Sequence, residues 1–199
     1  YVLDKIPDYE PRKETSLGSK AKKLNREIND YIYDILLEDD GNSLLYYPIG
    51  NYLDYSLEAS LEMISSEHTL LGLGDGGAHC ATICDASFTT HMLTFWGRDR
   101  TRGKKLDLPW IIKSYTRDNA LAIGLKDRGL IKEGMKADIN IIDFDNLTLY
   151  SPEIRYDLPA GGKRLVQRVD GYKYTIVSGK VTYVDGVSTG ELPGRLIRS

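Results

Sequence analysis

Residues 70–80, LLGLGDGGAHC, place a carboxylate and an imidazole four residues apart at the end of an apolar run. The glycines beside Asp75 carry no side chains, so a substrate or a metal ion could approach closely. A carboxylate there could bind a cation or take a proton from a metal-bound water, and His79 could bind a metal or a substrate carbonyl. Asp-Gly is also a common turn sequence, and a histidine beside a turn is often structural. The spacing alone leaves both interpretations open.

Two further groups near this stretch suggest binding chemistry. Cys80 and Cys84 lie beside the histidine, as in zinc sites, although a closed site needs four ligands and both cysteines could be small buried residues. The stretch GRDRTRG carries Arg98, Arg100 and Arg102. These guanidinium groups could bind a substrate carboxylate, or they could belong to a solvated loop.

The elements around Asp75 predict an α/β fold. Apolar residues at helical spacing indicate helices over 28–36 and 57–64, and apolar runs indicate buried strands over 44–49 and 69–73. This order of strand, helix and strand predicts parallel pairing. Because catalytic groups lie at the carboxyl ends of parallel strands, Asp75 stands where a site is expected.

The remaining sequence predicts two more helical pieces and then an all-β part. Pro109 is expected in a first helical turn, and Thr116 is expected to cap a second piece that ends at Gly124. Beyond Gly134 no helix pattern occurs. The dipeptides at 178–179 and 185–186, Ser-Gly and Asp-Gly, predict hairpins.

Composition excludes several functional classes. The chain has 199 residues, a hydrophobic fraction of 41% and a net charge of −3 with scattered Lys and Arg. Neither a nucleic-acid partner nor a membrane partner is therefore expected. With only two cysteines, the protein is expected in a reducing compartment, the cytoplasm.

Three stretches resemble the C-terminal third of a metal-dependent amidohydrolase. They read TLLGLGDGGAH, GLKDRGLIKEGMKADINIIDFD and TIVSGKVTYVDGVSTGELPGRLIR. The patterns Gly-x-x-Ala-Asp at 134–138 and Thr-Gly-x-x-Pro-Gly at 189–194 recur across that superfamily. The stretch DLPAGGKRLVQ is more typical of the D-aminoacylase, or N-acyl-D-amino-acid deacylase, branch. From about residue 8 onward, the chain resembles that branch.

The resemblance implies a fold and a role for Asp75. The expected fold is the C-terminal part of a (β/α)₈ TIM barrel over 1–124, followed by a β-sandwich segment over 125–199. Asp75 matches the aspartate that ends the last barrel strand. In the family, this residue activates a metal-bound water and then protonates the leaving amine, and it is a candidate metal ligand. His79 matches a histidine of D-aminoacylases at the same offset, which makes it a candidate substrate-binding residue.

The family's other zinc ligands have no counterparts in this sequence. In the family a His-x-His motif, a cysteine or carboxylate and further histidines lie on earlier strands. His68, His79 and His91 do not reproduce that spacing. We therefore expect zinc as the cofactor of the full-length enzyme and no catalytic zinc in this stretch alone.

The substrate-carboxylate site also departs from the family pattern. D-Aminoacylases often carry Phe-Pro-Arg after the last barrel strand, and that arginine binds the substrate carboxylate. Here the residues are Phe88, Thr89 and Thr90. Arg98 and Arg100 are the candidates to replace the missing guanidinium.

Taken together, these features predict the C-terminal part of a zinc-dependent amidohydrolase that cleaves an amide C–N bond, above all in N-acyl-D-amino acids. A hydantoinase-like hydrolase of cyclic amides and a non-catalytic binding or assembly module are the alternatives. The expected partners are a small-molecule amide and either a missing N-terminal barrel segment or another chain. Without such a cover, open sheet edges and apolar faces should make the isolated chain associate.

Overall fold

The computed structural model describes residues 1–72, 74 and 79–197. The chain divides into two compact units, Tyr1–Thr69 and Leu70–Ser199. The domain boundary expected at residue 124 stays a prediction. Across the described ranges, no helix is both long enough and apolar enough to cross a membrane.

The first unit contains three helices, α1 (Leu17–Lys23), α2 (Ile28–Leu37) and α3 (Glu58–Ser65). Short 3₁₀ turns lie at Lys13–Thr15 and Asp39–Gly41. Helices α2 and α3 confirm the predictions from apolar spacing to within a residue or two. The apolar core of this unit includes Leu17, Ala21, Ile35, Tyr52 and Leu61.

A buried carboxylate ties the amino-terminal loop to the start of α3. Glu10 is 2% exposed, and its Oε1 accepts the backbone N–H of Leu57 at 2.8 Å. The nearby Tyr52 hydroxyl donates to the Pro11 carbonyl at 2.6 Å. These bonds satisfy polar groups that would otherwise destabilise the interior.

The predicted strand over 44–49 is wrong. Within this described segment only Leu45 forms a β-bridge, to Val2. Pro48 has no N–H to donate to a ladder. Tyr47 and Ile49 are 82% and 93% exposed, so the apolar run is not buried.

The described part of the predicted strand over 69–73 is not a strand either. The Thr69 hydroxyl donates to carbonyl oxygens at the end of α3, including that of Met63 at 2.9 Å. Leu71 accepts a side-chain bond instead of a ladder bond, from Asn119 Nδ2 at 2.6 Å. Leu73 lies outside the described residues.

Helical segments open the second unit. Helix α4 (Phe88–His91) runs into π-helical turns over Met92–Asp99, and α5 (Leu108–Lys113) runs through π-helical turns over Ser114–Asp118 into α6 (Asn119–Ala122). Pro109 lies in the first turn of α5, as predicted. The cap predicted at Thr116 is wrong, because this residue is inside continuous helix and its hydroxyl donates to the Ile112 carbonyl at 2.6 Å.

Six strands follow in the described residues up to 197: β1 (Ile139–Ile142), β2 (Thr148–Leu158), β3 (Gly162–Asp170), β4 (Tyr172–Val177), β5 (Lys180–Val184) and β6 (Val187–Ser188). They form a four-stranded sheet in the order β1-β4-β5-β6 and a two-stranded sheet of β2 and β3. Every pairing between these described strands is antiparallel. The fold mixes helix and sheet, as expected for α/β, but the parallel pairing predicted from the element order is not found in the described residues.

Both predicted hairpin turns are confirmed. Ser178 and Gly179 join β4 to β5 with φ angles of 50° and 77°, and Asp185 and Gly186 join β5 to β6 with 44° and 78°. Two successive positive φ angles define the type I′ turn that suits strand twist. The apolar core of this unit includes Met92, Leu93, Trp96, Leu106, Ile111, Ala120, Leu147 and Leu149.

Candidate functional site

Asp75, the main candidate for chemistry, lies outside the described residues, with Leu73 and residues 76–78. The structure instead describes both flanks of this position, so the site is built from them.

The upstream flank is held tightly at Gly74. A Cβ atom placed there would lie 2.7 Å from the Asp85 carbonyl oxygen and 2.8 Å from Cδ1 of Phe88. Ordinary van der Waals contact begins at 3.4 Å, so only glycine fits without a shift of the neighbours. The residue that precedes Asp75 is therefore packed directly against the backbone of the loop before α4.

The downstream flank is a tight turn at His79, which has a φ of 50° and an exposed side chain. Its carbonyl accepts the N–H groups of Thr82 at 2.8 Å and Ile83 at 3.0 Å. The next carbonyl, of Cys80, accepts the Leu165 N–H of β3 at 2.7 Å. The imidazole thus faces solvent on a turn whose backbone is fixed, and its predicted contact with a substrate stays a prediction.

The two cysteines are free thiols. Burial, together with the Asp85 carboxylate, raises the pKa of the Cys84 thiol. A raised pKa disfavours the thiolate, which is the form that binds metals. This environment suits the interpretation of Cys84 as a small packed residue.

Sequence reasoning missed a side-chain contact across 80 positions, between Ser87 and Gln167. The Ser87 hydroxyl donates to Oε1 of Gln167, and Nε2 of Gln167 donates to the Tyr150 carbonyl at 2.6 Å. The one available signal was the position of Gln167 at the end of the branch-typical stretch DLPAGGKRLVQ.

Arg98 has a partner for each of its five N–H donors. Nε and Nη2 form a bidentate pair with Asp99 at 2.7 and 2.9 Å. Nη1 donates to the carbonyls of Phe144 and Asp145, and Nη2 also donates to that of Leu147 at 2.7 Å. The hydrogen bond to Asp99 raises the pKa of Arg98. A substrate carboxylate would have to displace one of these contacts.

Arg100 is buried, with 1% of its surface exposed. Its guanidinium carbon lies 4.7 Å from the centroid of the Trp96 ring, and Nη1 donates to the Lys104 carbonyl at 3.0 Å. The predicted role of Arg98 and Arg100 in binding a substrate carboxylate stays a prediction, and the structure gives each a contact within the chain.

An open polar cavity of about 350 Å³ is lined by residues other than those of the two flanks. Its lining comprises Asp143, Asn146, Thr148, Tyr150, Val169, Asp170, Gly171, Tyr172, Lys173 and Asp185. Each of the three carboxylates has a partner: Asp143 with Asn146, Asp170 with Tyr150 and Asp185 with Lys173.

The described residues do not fit a metal centre. Within residues 1–72, 74 and 79–197, no three His, Cys, Asp or Glu side chains are grouped so that they could hold a metal ion. His68 is exposed beside Glu67, and His91 stacks on Phe95 with ring centroids 4.9 Å apart. Burial lowers the pKa of His91 to about 4.

Comparison with known families identifies the class of protein. The family model described as "Amidohydrolase family" matches residues 42–183, more than half of the chain. The chain belongs to this amidohydrolase family. Membership supports a hydrolase that acts on amide or other C–N bonds.

Comparisons with curated proteins and with solved structures give no match.

Proposed function

We propose that this chain contributes Asp75 to the active site of an amidohydrolase that cleaves the amide bond of N-acyl-D-amino acids. The family match over residues 42–183 carries the proposal, because that range contains Asp75 together with the described flanks. The resemblance of DLPAGGKRLVQ to the deacylase branch adds the substrate class.

The chemistry assigned to Asp75 is a proton transfer in two steps. The carboxylate accepts a proton from the attacking water while the water oxygen bonds to the carbonyl carbon. It then delivers that proton to the amide nitrogen as the C–N bond breaks and the amine leaves. Zinc enters the proposal through the resemblance alone, as a group held by residues other than those described.

The contacts around Phe88 bear on substrate choice. In this chain the ring of Phe88 packs near Gly74 and lies 6.0 Å from the ring of Tyr115. The residues that follow it, Thr89 and Thr90, supply no guanidinium. Because the Arg98 donors are already engaged, a substrate without a free carboxylate, such as a cyclic amide, is the second candidate.

The test compares wild type with Asp75→Asn in the natural full-length protein supplied with zinc. We expect kcat to fall by roughly 10²–10⁴-fold, the contribution typical of a positioned acid–base group. Asp54→Asn makes the same chemical change at an exposed position and should leave kcat unchanged. Near wild-type turnover by Asp75→Asn would refute the assigned role.

A substrate panel separates the two candidate activities. N-acetyl-D-amino acids, their L-enantiomers and hydantoins should be assayed in parallel. Hydrolysis of the D-enantiomers supports the deacylase. Turnover of hydantoins alone supports the cyclic-amide hydrolase. If none of these substrates is hydrolysed, the result favours a non-catalytic binding or assembly module.

A further inference from the structure

The amide of Gln167 joins the β2–β3 hairpin to the loop before α4. Its oxygen accepts the Ser87 hydroxyl, and its nitrogen donates to the Tyr150 carbonyl of β2 at 2.6 Å. Because both ends of the amide are engaged, its orientation is fixed. Ser87 occupies the N-cap position of α4, yet its side chain makes no cap bond to that helix and bonds to Gln167 instead.

The loop held by Gln167 is the one that packs against Gly74. The Asp85 carbonyl and the Phe88 ring approach Gly74 too closely for a Cβ atom, and Ser87 lies between them in the chain. Gly74 immediately precedes Asp75. The backbone position at the start of the Asp75 segment therefore depends on residues 85–88.

Strand β3 also holds the other side of this segment. The Leu165 N–H donates to the Cys80 carbonyl at 2.7 Å, two positions before Gln167 on the same strand. A two-stranded hairpin has little stability by itself, so its contacts with neighbouring segments matter to both partners. Through these two bonds β3 contacts residue 80, downstream of Asp75, and residue 87, in the loop before α4.

We infer that Gln167 is a positioning residue for the flank that precedes Asp75: it fixes Ser87 and, through residues 85–88, the position of Gly74. This inference rests on the proposed catalytic role of Asp75. A general base must lie within hydrogen-bond distance of the proton that it removes, and a displacement of about 1 Å can cost about 10²-fold in rate.

The test uses Gln167→Leu, Ser87→Ala and their double variant in the natural full-length protein. Each single variant should lower kcat by about tenfold or more with little change in KM, because the loss affects the reacting geometry more than substrate binding. The double variant should be no slower than the slower single variant, since both remove one contact. Ser87→Thr keeps the hydroxyl and should retain most of kcat.

Arg168→Gln is the matched control on the same strand. It removes an exposed ion pair with Glu153, 3.0 Å apart, and leaves the contact of Gln167 intact. Its kcat should equal that of wild type. An equal loss in Arg168→Gln, or additive losses in the double variant, would overturn the inference in favour of general hairpin destabilisation.

Hydrogen–deuterium exchange gives a readout that does not depend on the reaction. Peptides from residues 79–91 should exchange faster in Gln167→Leu than in wild type or in Arg168→Gln. If Gln167→Leu changes neither the hydrogen–deuterium exchange of these peptides nor kcat, the inference is wrong. If the wild type hydrolyses no amide, the proposed function fails and the effect of Gln167 on kcat cannot be expected. The exchange pattern then still decides whether Gln167 holds the loop before α4 through Ser87.

Discussion

Gly74→Ala is the most direct test of the geometry beside Asp75. The new methyl group would lie 2.7 Å from the Asp85 carbonyl oxygen, about 0.7 Å short of ordinary contact, and 2.8 Å from the Phe88 ring. The carbonyl belongs to the backbone and cannot rotate away, so the chain at residue 74 or at residue 85 must move. Overpacking of this kind costs about 1–3 kcal/mol of unfolding free energy. On the proposed catalytic role of Asp75, a shift approaching 1 Å at its neighbour should lower kcat by roughly 10–100-fold.

Gly72→Ala is the matched control, two residues upstream. The nearest atom to a Cβ at Gly72 is the Leu70 carbonyl oxygen at 3.9 Å, an ordinary contact. Both substitutions restrict the unfolded chain similarly, so that contribution cancels in the comparison. The assay measures kcat and the urea midpoint for the two variants of the full-length protein. Equal values would show that Gly74 is not confined as described and would refute the argument for a fixed flank.

Two further predictions concern stability in the second unit. Because burial lowers the pKa of His91 from 6.5 to about 4, the unfolded chain binds a proton that the folded chain does not. The free energy of unfolding of the wild type should therefore fall as the pH falls from 6.5 toward 4. Urea unfolding measured across that range should show a smaller loss for His91→Phe. Equal losses in the two proteins would contradict the prediction. Gly129 and Gly134 both have positive φ angles, 83° and 80°, but a Cβ at Gly129 would lie 2.7 Å from the Arg117 Cα, whereas Gly134 has no neighbour within 4 Å. Gly129→Ala should consequently unfold about 1–3 kcal/mol more easily than Gly134→Ala, and equal urea midpoints would disprove the close contact.

Elements that depend on neighbours along the chain could be predicted from the sequence. The hairpin turns follow from Ser178-Gly179 and Asp185-Gly186, since these residues tolerate the positive φ angles that a type I′ turn requires. Helix α2 follows from the spacing of its apolar side chains, which places one stripe toward the core. In each case the deciding interaction lies within a few residues.

Strands that depend on distant partners could not be predicted in the same way. The run over 44–49 is apolar enough for a buried strand, but only Leu45 finds a bridge, to Val2. The Leu71 carbonyl accepts a bond from the side chain of Asn119 rather than from a ladder. Apolar composition shows that a segment tends toward burial, but it does not show which backbone will pair with it.

Residue type also gave an incomplete picture of the arginines. Clustered guanidinium groups suggested a site for a carboxylate, and their chemistry permits one. In the structure, Arg98 closes the turn at 144–147 with three carbonyl contacts, and Arg100 stacks on Trp96. A guanidinium satisfies protein carbonyls with the same donors that it would use for a ligand. Whether an arginine is free to bind a ligand therefore depends on its exposure and on its contacts within the chain, and neither can be read from the clustering of arginines in the sequence.

The stretch DLPAGGKRLVQ acquires a physical explanation from its geometry. Its central residues turn the hairpin, with Ala160 and Gly161 at φ angles of 59° and 73°. Its last residue, Gln167, reaches Ser87 across 80 positions. A turn of this length and register sets which β3 side chain faces the loop before α4: a shift of one residue would turn Gln167 to the opposite face. The register of this hairpin and the packing at Gly74 are consequently parts of one arrangement, which links a distant motif to the segment that carries Asp75.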